Sequence, residues 1–481
     1  LKLVKNYLFL AGAEVVSKLV TFAAFAYLAR AMGPEGFGQI EFAGAVLLCA
    51  GLLVDQGFSP YGAREIAKAP KLTPAIVSEI VVARFILAIA AYGAVVLIAL
   101  LLDRPPVVTR LLLIYGLSLL VMPFLLQWVF QGHDRMQNVA VAQILRQSVF
   151  AAMVFALVRR AEQIWLVGVA ELAGVAVMAA YCIWAYRRVL GGAIEKRFSI
   201  SKRLLREGVP IGLSQMFWMV KLFGATFILG LVAPASDVGY FAGALRILLA
   251  LHTFVWLYYF NLLPSLSRAW QEGAEPFARV IGRSMHGVAW VGLAVGVLFV
   301  EAAPALMKLV YGAAFEQAGS VLQWLIAVCV LAALSGHYRF GLIAAGRQTA
   351  EMATSALGAG VAMIAIPVGY INSGPSGAAM GLCIAEVAVW LSSWWCGRRI
   401  LGLKDYASYL TRPLLAAAVA SGTTLLLPFS STGSRVAAAG GIFAALALIS
   451  DGEVRDRLRQ FRAAGKKLNP WQSKDVPEVT R

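Results

Sequence analysis

Fourteen apolar stretches, each of about bilayer-spanning length, alternate along the chain with short polar connections. They centre on residues 8–30, 39–62, 78–102, 110–131, 139–158 and 164–186, then 208–232, 239–263, 284–303, 318–341, 351–371, 376–397, 413–429 and 434–450. The pattern predicts an all-α integral membrane protein, because a hydrocarbon core about 30 Å thick takes about 20 apolar residues of helix. The last two stretches are short and rich in Ala and Gly, so a single re-entrant hairpin is the alternative there, leaving twelve full spans. Either count is even and puts both ends of the chain on one side.

Composition and charge choose the class and the side. Hydrophobic residues make up 60% of the 481 and charged residues 14%, with mean hydropathy +0.76, against roughly 25% charged in a soluble domain. A water-soluble fold is excluded. The net charge of +17 then reads as topology and not as nucleic-acid binding, since Lys and Arg near span ends stay in the cytoplasm. Alternate connections carry them. Arg64, Lys68 and Lys71 follow the second span, and Arg187, Arg188, Lys196, Arg197, Lys202, Arg203 and Arg206 the sixth. Arg398, Arg399, Lys404 and Arg412 follow the twelfth, and the tail adds Arg455, Arg457, Arg459, Arg462, Lys466, Lys467 and Lys474. Connections 31–38, 233–238 and 372–375 are short and nearly free of cations; Arg159 and Arg160 stand on the wrong side of this count. Both termini are expected in the cytoplasm of a bacterial inner-membrane protein. The first stretch, flanked by Lys2 and Lys5, is too long for a signal-peptide core and reads as a retained helix. The five cysteines sit in or beside apolar segments without a CxxC, so no disulfide or metal framework is expected.

The longest polar connection divides the chain. It predicts a six-helix bundle over 1–190, a basic linker over 191–207, a second six-helix bundle over 208–400, two extra helices over 401–450 and a basic tail over 451–481. The halves resemble each other: Phe42-Ala43-Gly44-Ala45 recurs as Phe241-Ala242-Gly243-Ala244, following Gly38 and Gly239, and Pro60 and Pro264 each precede an arginine by four residues. Shared order points to a parallel duplication.

Three stretches carry a family resemblance. Arg30-Ala31-Met32-Gly33-Pro34-Glu35-Gly36-Phe37-Gly38, Asp55-Gln56-Gly57 and Arg64-Glu65-Ile66-Ala67 resemble the opening of polysaccharide biosynthesis proteins, and Asp237-Val238-Gly239-Tyr240-Phe241-Ala242 the matching signature in the second half. These are the O-antigen flippases of the multidrug/oligosaccharidyl-lipid/polysaccharide exporter superfamily. The resemblance implies a V-shaped pair of six-helix bundles that alternate between inward and outward openings around a cationic cavity. It implies as cargo an undecaprenyl-diphosphate-linked oligosaccharide, lipid II or an organic cation. Pro34 and its glycines also have a local role, stopping the first span and allowing a tight turn.

Charges inside spans carry the site, because an ionisable group at the helix centre costs a few kcal/mol unless it faces protein or a wet cavity. Glu14 and Lys18 stand one turn apart in the first span, either as a self-neutralising pair or as a substrate or ion-coupling site. Lys221 and Arg246, in the seventh and eighth spans, have no acid within a turn, so each needs an anionic ligand or an acid from elsewhere. Arg146 and Glu171 can bridge each other, and Glu386 is a candidate partner for Lys221 or Arg246, or a protonatable coupling site. Arg84, Arg339 and Glu301 read as snorkelling residues near span ends, Asp55 as a contact to backbone or a basic loop, and His252 and His337 as hydrogen-bonded packers or titrating groups.

A lipid diphosphate needs several Lys or Arg donors in a partly desolvated site, whereas organic cations need acids and aromatics. Lys18, Lys221 and Arg246 therefore favour the oligosaccharide flippase over a multidrug antiporter. A membrane glycosyltransferase or polymerase would need a substantial periplasmic loop, and none much longer than about 15 residues is expected here. Flipping breaks no covalent bond. No catalytic set and no cofactor are expected, and without a Walker motif the energy would come from an ion gradient or the membrane potential. Besides the lipid-linked sugar and membrane lipids, a polymerase and glycosyltransferases are the expected partners.

Overall fold

The computed structural model describes residues 2–102, 104–192, 200–403, 406–456 and 459, with backbone alone for 2–15, 210, 211, 213–215, 217, 218, 220–223 and 407. Among them every regular element is helical: α1 (Lys2–Asp55), α2 (Phe58–Lys68), α3 (Thr73–Leu101), α4 (Pro106–Val121), α5 (Gln127–Gly132), α6 (Met136–Leu157) and α7 (Trp165–Leu190) come first. There follow α8 (Lys202–Val232), α9 (Ala235–Glu272), α10 (Ala274–Tyr311), α11 (Gly319–Ala344), α12 (Gln348–Leu401), α13 (Ala407–Leu426) and α14 (Thr432–Ser450). Ten stretches among the described residues are long and apolar enough to cross a membrane. The stretches holding α1 and α12 each contain two spans joined without a loop, and α8 and α13 add helices of 31 and 20 residues. Each expected span thus has its helix, in a multi-pass membrane protein. Residues 193–199 of the 187–207 linker, and 457, 458 and the tail beyond 459, lie outside the described residues.

The two merged helices break by one device. Gly33 takes φ 67° before Pro34, and Gly374 takes φ 60° before Pro375. Only glycine adopts that left-handed conformation freely, and proline withholds the next helical donor. The turn foreseen at Pro34 is therefore a kink, with helix on both sides. The second span also ends sooner than its hydropathy suggests. Gln56 (φ 42°) and Gly57 (φ 75°) turn the chain after Asp55 into α2, an amphipathic helix that buries Phe58, Tyr61 and Ile66 and leaves Arg64 and Lys68 exposed.

By contacts the chain forms two compact units: Leu1–His252 with Pro304–Val328 and Gln348–Ser392, and Thr253–Ala303 with Cys329–Arg347 and Ser393–Arg481. In the first, α1 packs against α3, α4, α6 and α8, and α7 against α4 and α6. Near the Gly33 break α1 crosses α9 so closely that a Cβ on Gly38 would strike the Ala235 carbonyl, and one on Gly239 the Pro34 carbonyl. The reciprocity pairs Gly38 with Gly239. The repeated Phe-Ala-Gly-Ala runs lie two residues out of that register.

In the second unit one face of α10, spaced at helical intervals, meets α13, α14 and the residues just beyond. Trp290 packs on Phe443 with ring centroids 5.6 Å apart, and Leu293 and Val297 join Ala416, Ala420 and Ala439. Glu301 bonds Thr424 Oγ1 at 2.7 Å, while His286 Nε2 and Trp290 Nε1 reach Asp451 Oδ2 at 2.7 and 2.9 Å. Glu301 is buried inside protein, which corrects its reading as a snorkelling residue. The last two spans are separate helices of 20 and 19 residues, each about 30 Å long. His337 is fully buried, hydrogen-bonded to Ser284 and Tyr259, a packing role.

Candidate functional site

The first unit encloses a cavity of about 580 Å³ bounded by α1 to α9. Three arginines line it, from α3, α6 and α9, and each meets a carboxylate. Arg246 Nε donates to Glu41 Oε1 at 2.6 Å, and its guanidinium lies over the Phe25 ring, 3.3 Å from the centroid. Its terminal nitrogens have no hydrogen-bond partner among the described residues, and the side chain is 25% exposed. Arg146 Nη2 donates to Glu171 Oε1, leaving Arg146 Nε buried without a partner. Arg84 Nη2 donates to Asp55 Oδ1 and Ser59 Oγ, again with Nε unpartnered. Tyr115 of α4 stands within electrostatic reach of Glu41, Glu171, Arg246 and Arg146, which makes one charged cluster of two of the three pairs. Thr21 completes a polar wall with its bond to Gln147 Oε1, 2.8 Å.

The expected residues fall into three groups. Arg246, Arg146 and Glu171 come together in the cavity, the last two as an ion pair. Lys18 is exposed on α1, one turn from Thr21 and two from Phe25, and so shares the face that lines the cavity. Glu386 is buried in α12 and is not among the cavity-lining residues. The side chains of Glu14 and Lys221 lie outside the described residues. Of the two alternatives expected for Arg246, an anionic ligand or an acid from elsewhere in the chain, the structure supplies the acid, and it is Glu41 of α1, 205 positions earlier, in the place expected for Glu386.

Three site residues escaped the sequence reading. Glu41 lies near the start of its span with no basic residue within one turn to mark it as half of an ion pair. Arg84 was assigned to snorkelling, yet it is 4% exposed and falls on the buried stripe Val77, Ile80, Val81, Ala88, Ala91 of α3. That 3.6-residue spacing was the available signal. Asp55 touches backbone as expected, accepting from Ser59 N at 3.3 Å, and in addition holds Arg84, a pairing the sequence did not show.

Two clusters in the same unit tie segments far apart in sequence. Arg30 Nε donates to the Val310 carbonyl at 2.9 Å and its Nη2 to Leu309, closing the carbonyl end of α10. Elsewhere Glu65 of α2 pairs with Arg203 at 2.9 Å, and Arg64 pairs with Glu207 of α8. The Arg203 guanidinium hydrogen-bonded to Glu207 holds that carboxyl below the usual range.

The family model for polysaccharide biosynthesis proteins matches residues 3–270. A curated Escherichia coli (strain K12) protein named "Putative O-antigen transporter" is 23% identical over 371 residues, 75% of this chain and 88% of that one. A solved structure of the lipid II flippase MurJ in an inward closed conformation superposes with TM-score 0.74 over 94% of this chain and all of that one, at 10% identity. An inward-facing multidrug resistance MATE family transporter of the MOP superfamily superposes with TM-score 0.64 at 18% identity, covering 80% of this chain and 94% of that one. At these identities the two structures speak for the fold alone.

Proposed function

The chain belongs to the polysaccharide biosynthesis protein family, and from that premise we propose that it is a flippase carrying polyprenyl-diphosphate-linked oligosaccharides across the bacterial inner membrane. The observation that carries the reading is Arg246, whose terminal donors face a 580 Å³ cavity without partners among the described residues. That volume lies within the range of small-molecule sites, roughly 300 to 1,000 Å³, enough for a head group while the prenyl tail stays in lipid. Arg146 lines the same wall, and Lys18 and Lys221 are the further donors. An organic cation would need free carboxylates, yet Glu41, Asp55 and Glu171 are each held by an arginine. Two six-helix bundles exchange inward and outward openings, driven by an ion gradient or the membrane potential, and a polymerase and glycosyltransferases supply and consume the cargo. Both termini lie in the cytoplasm; strong activity of a periplasm-dependent reporter fused after residue 200 would overturn that orientation.

The test replaces Arg246 with Gln and measures translocation of a lipid-linked oligosaccharide in vesicles, alongside protein abundance. Loss of one charge-assisted contact costs about 1.5 to 3 kcal/mol, a tenfold to hundredfold loss of binding. Normal transport by the variant would sink the site.

A further inference from the structure

We infer that Glu41 is a built-in competitor for the anion seat: its carboxylate occupies Arg246 and is displaced when a diphosphate enters. The inference rests on the flippase reading above and specifies the regulation of that same site.

Geometry makes the competition direct. An arginine grips a phosphate best through two parallel N–H groups on one edge of its fork. Glu41 takes the Nε donor at 2.6 Å and Phe25 covers a ring face, so with Glu41 in place the guanidinium offers a reduced set of donors. A carboxylate and a phosphate oxygen ask for the same hydrogens. Only one can have the Nε edge.

The displaced carboxylate then loses the counter-charge that held it. Around it stand Arg246 from α9, which it contacts, Tyr115 from α4 and Tyr311 from the end of α10 within electrostatic reach, and Arg146 from α6 and Glu171 from α7 on the same cavity wall. Arg146 is already held by Glu171, and the Lys221 side chain on α8 lies outside the described residues. Glu41 is only 11% exposed, and a buried carboxylate without a counter-charge is strongly disfavoured. Proton uptake by Glu41 restores neutrality. Entry of the anionic head is thereby linked to binding of one proton.

The tie also joins two helices. Glu41 stands one turn past Gly38 and Arg246 two turns past Gly239, so the ion pair fastens α1 to α9 just beyond their backbone crossing. Displacing Glu41 releases that fastening when cargo arrives.

The experiment measures binding of undecaprenyl-diphosphate N-acetylglucosamine to the purified full-length protein in lipid nanodiscs as a function of pH. The probe is a diphosphate diester whose own charge is constant through the neutral range. Wild-type binding should tighten as pH falls, with about one proton taken up per lipid bound in weakly buffered solution. Glu41→Gln should bind about tenfold tighter at neutral pH, with a flat pH profile and no proton uptake. Glu41→Asp keeps a titratable carboxylate on a shorter arm, so it should retain the pH dependence and guards against a folding defect in the amide variant. If the wild type and Arg246→Gln bind differently but Glu41→Gln matches the wild type in affinity and pH profile, the competitor is refuted and the seat stands. If Arg246→Gln binds as well as the wild type, or the wild type does not bind, the flippase seat itself is refuted.

Discussion

Replacing Asp55 with Asn should destabilise the protein more than removing the arginine it holds. The two partners are unequally buried: the Arg84 side chain is 5% exposed and that of Asp55 28%. Asn at 55 leaves a guanidinium charge almost wholly inside protein with one nitrogen already unpartnered, and stranding one partner of a buried pair costs about 3 to 5 kcal/mol. Methionine at 84 fills similar volume and leaves a carboxylate that reaches solvent and still accepts from Ser59 N and Oγ, at 3.3 and 3.0 Å. That loss is about 1 to 2 kcal/mol. The double variant carries neither charge, so it should be more stable than the sum of the single losses by about 1 to 3 kcal/mol. Denaturation in lipid nanodiscs, followed by tryptophan fluorescence and reporting from Trp128 on the cavity wall, measures all four proteins. Equal losses for the two single variants, or strict additivity in the double, would refute the claim that burial asymmetry governs the pair.

Gly38→Ala should cost about 1 to 3 kcal/mol, because its methyl meets the Ala235 backbone and not a yielding side chain; an unchanged melting curve would contradict the close crossing. Asp451 lies past the end of α14, where burial pushes its carboxyl up but hydrogen bonds from His286 and Trp290 outweigh this and hold it below the ordinary value. Its contribution is therefore full above the ordinary carboxylate range and lost as pH falls through the lowered value. Asp451→Asn should show the loss already at neutral pH and remove that part of the acid sensitivity, read from melting temperature against pH. Truncation after residue 405 uncovers Trp290, Leu293 and Val297 and strips Glu301 of Thr424, so the shortened protein should fail to accumulate in membranes. Normal abundance would show that α13 and α14 are dispensable for folding and leave them a purely lipid-facing role.

Span number and order were legible in the sequence because each crossing must bury about 20 apolar residues, a constraint local to each segment. The ends of the second span were not. Hydropathy carried it through residue 62, whereas the backbone turns at Gln56 and Gly57, a break made by two left-handed residues and invisible to apolar content. The pair Arg146–Glu171 could be foreseen because it joins adjacent spans. Glu41–Arg246 could not, since its partners belong to opposite halves and meet only through a crossing set by Gly38 and Gly239. For Arg84 and Glu301 distance from a span end points to the interface, whereas the helical face points into the protein. Each lies on its helix's buried stripe, Arg84 with Val77, Val81 and Ala88, and Glu301 with Trp290, Leu293 and Val297.

The spacing of the three ion pairs sets a timetable for synthesis. Arg84 follows Asp55 by 29 positions and Glu171 follows Arg146 by 25, so each of those charges gains its partner within the next few spans made. Glu41 must wait for Arg246, 205 positions later, which at about 5 to 20 residues per second is some 10 to 40 s of elongation. Through that interval a carboxylate has entered the bilayer ahead of its counter-ion, a costly placement until the pair closes. Only when α9 arrives does Glu41 meet its counter-ion.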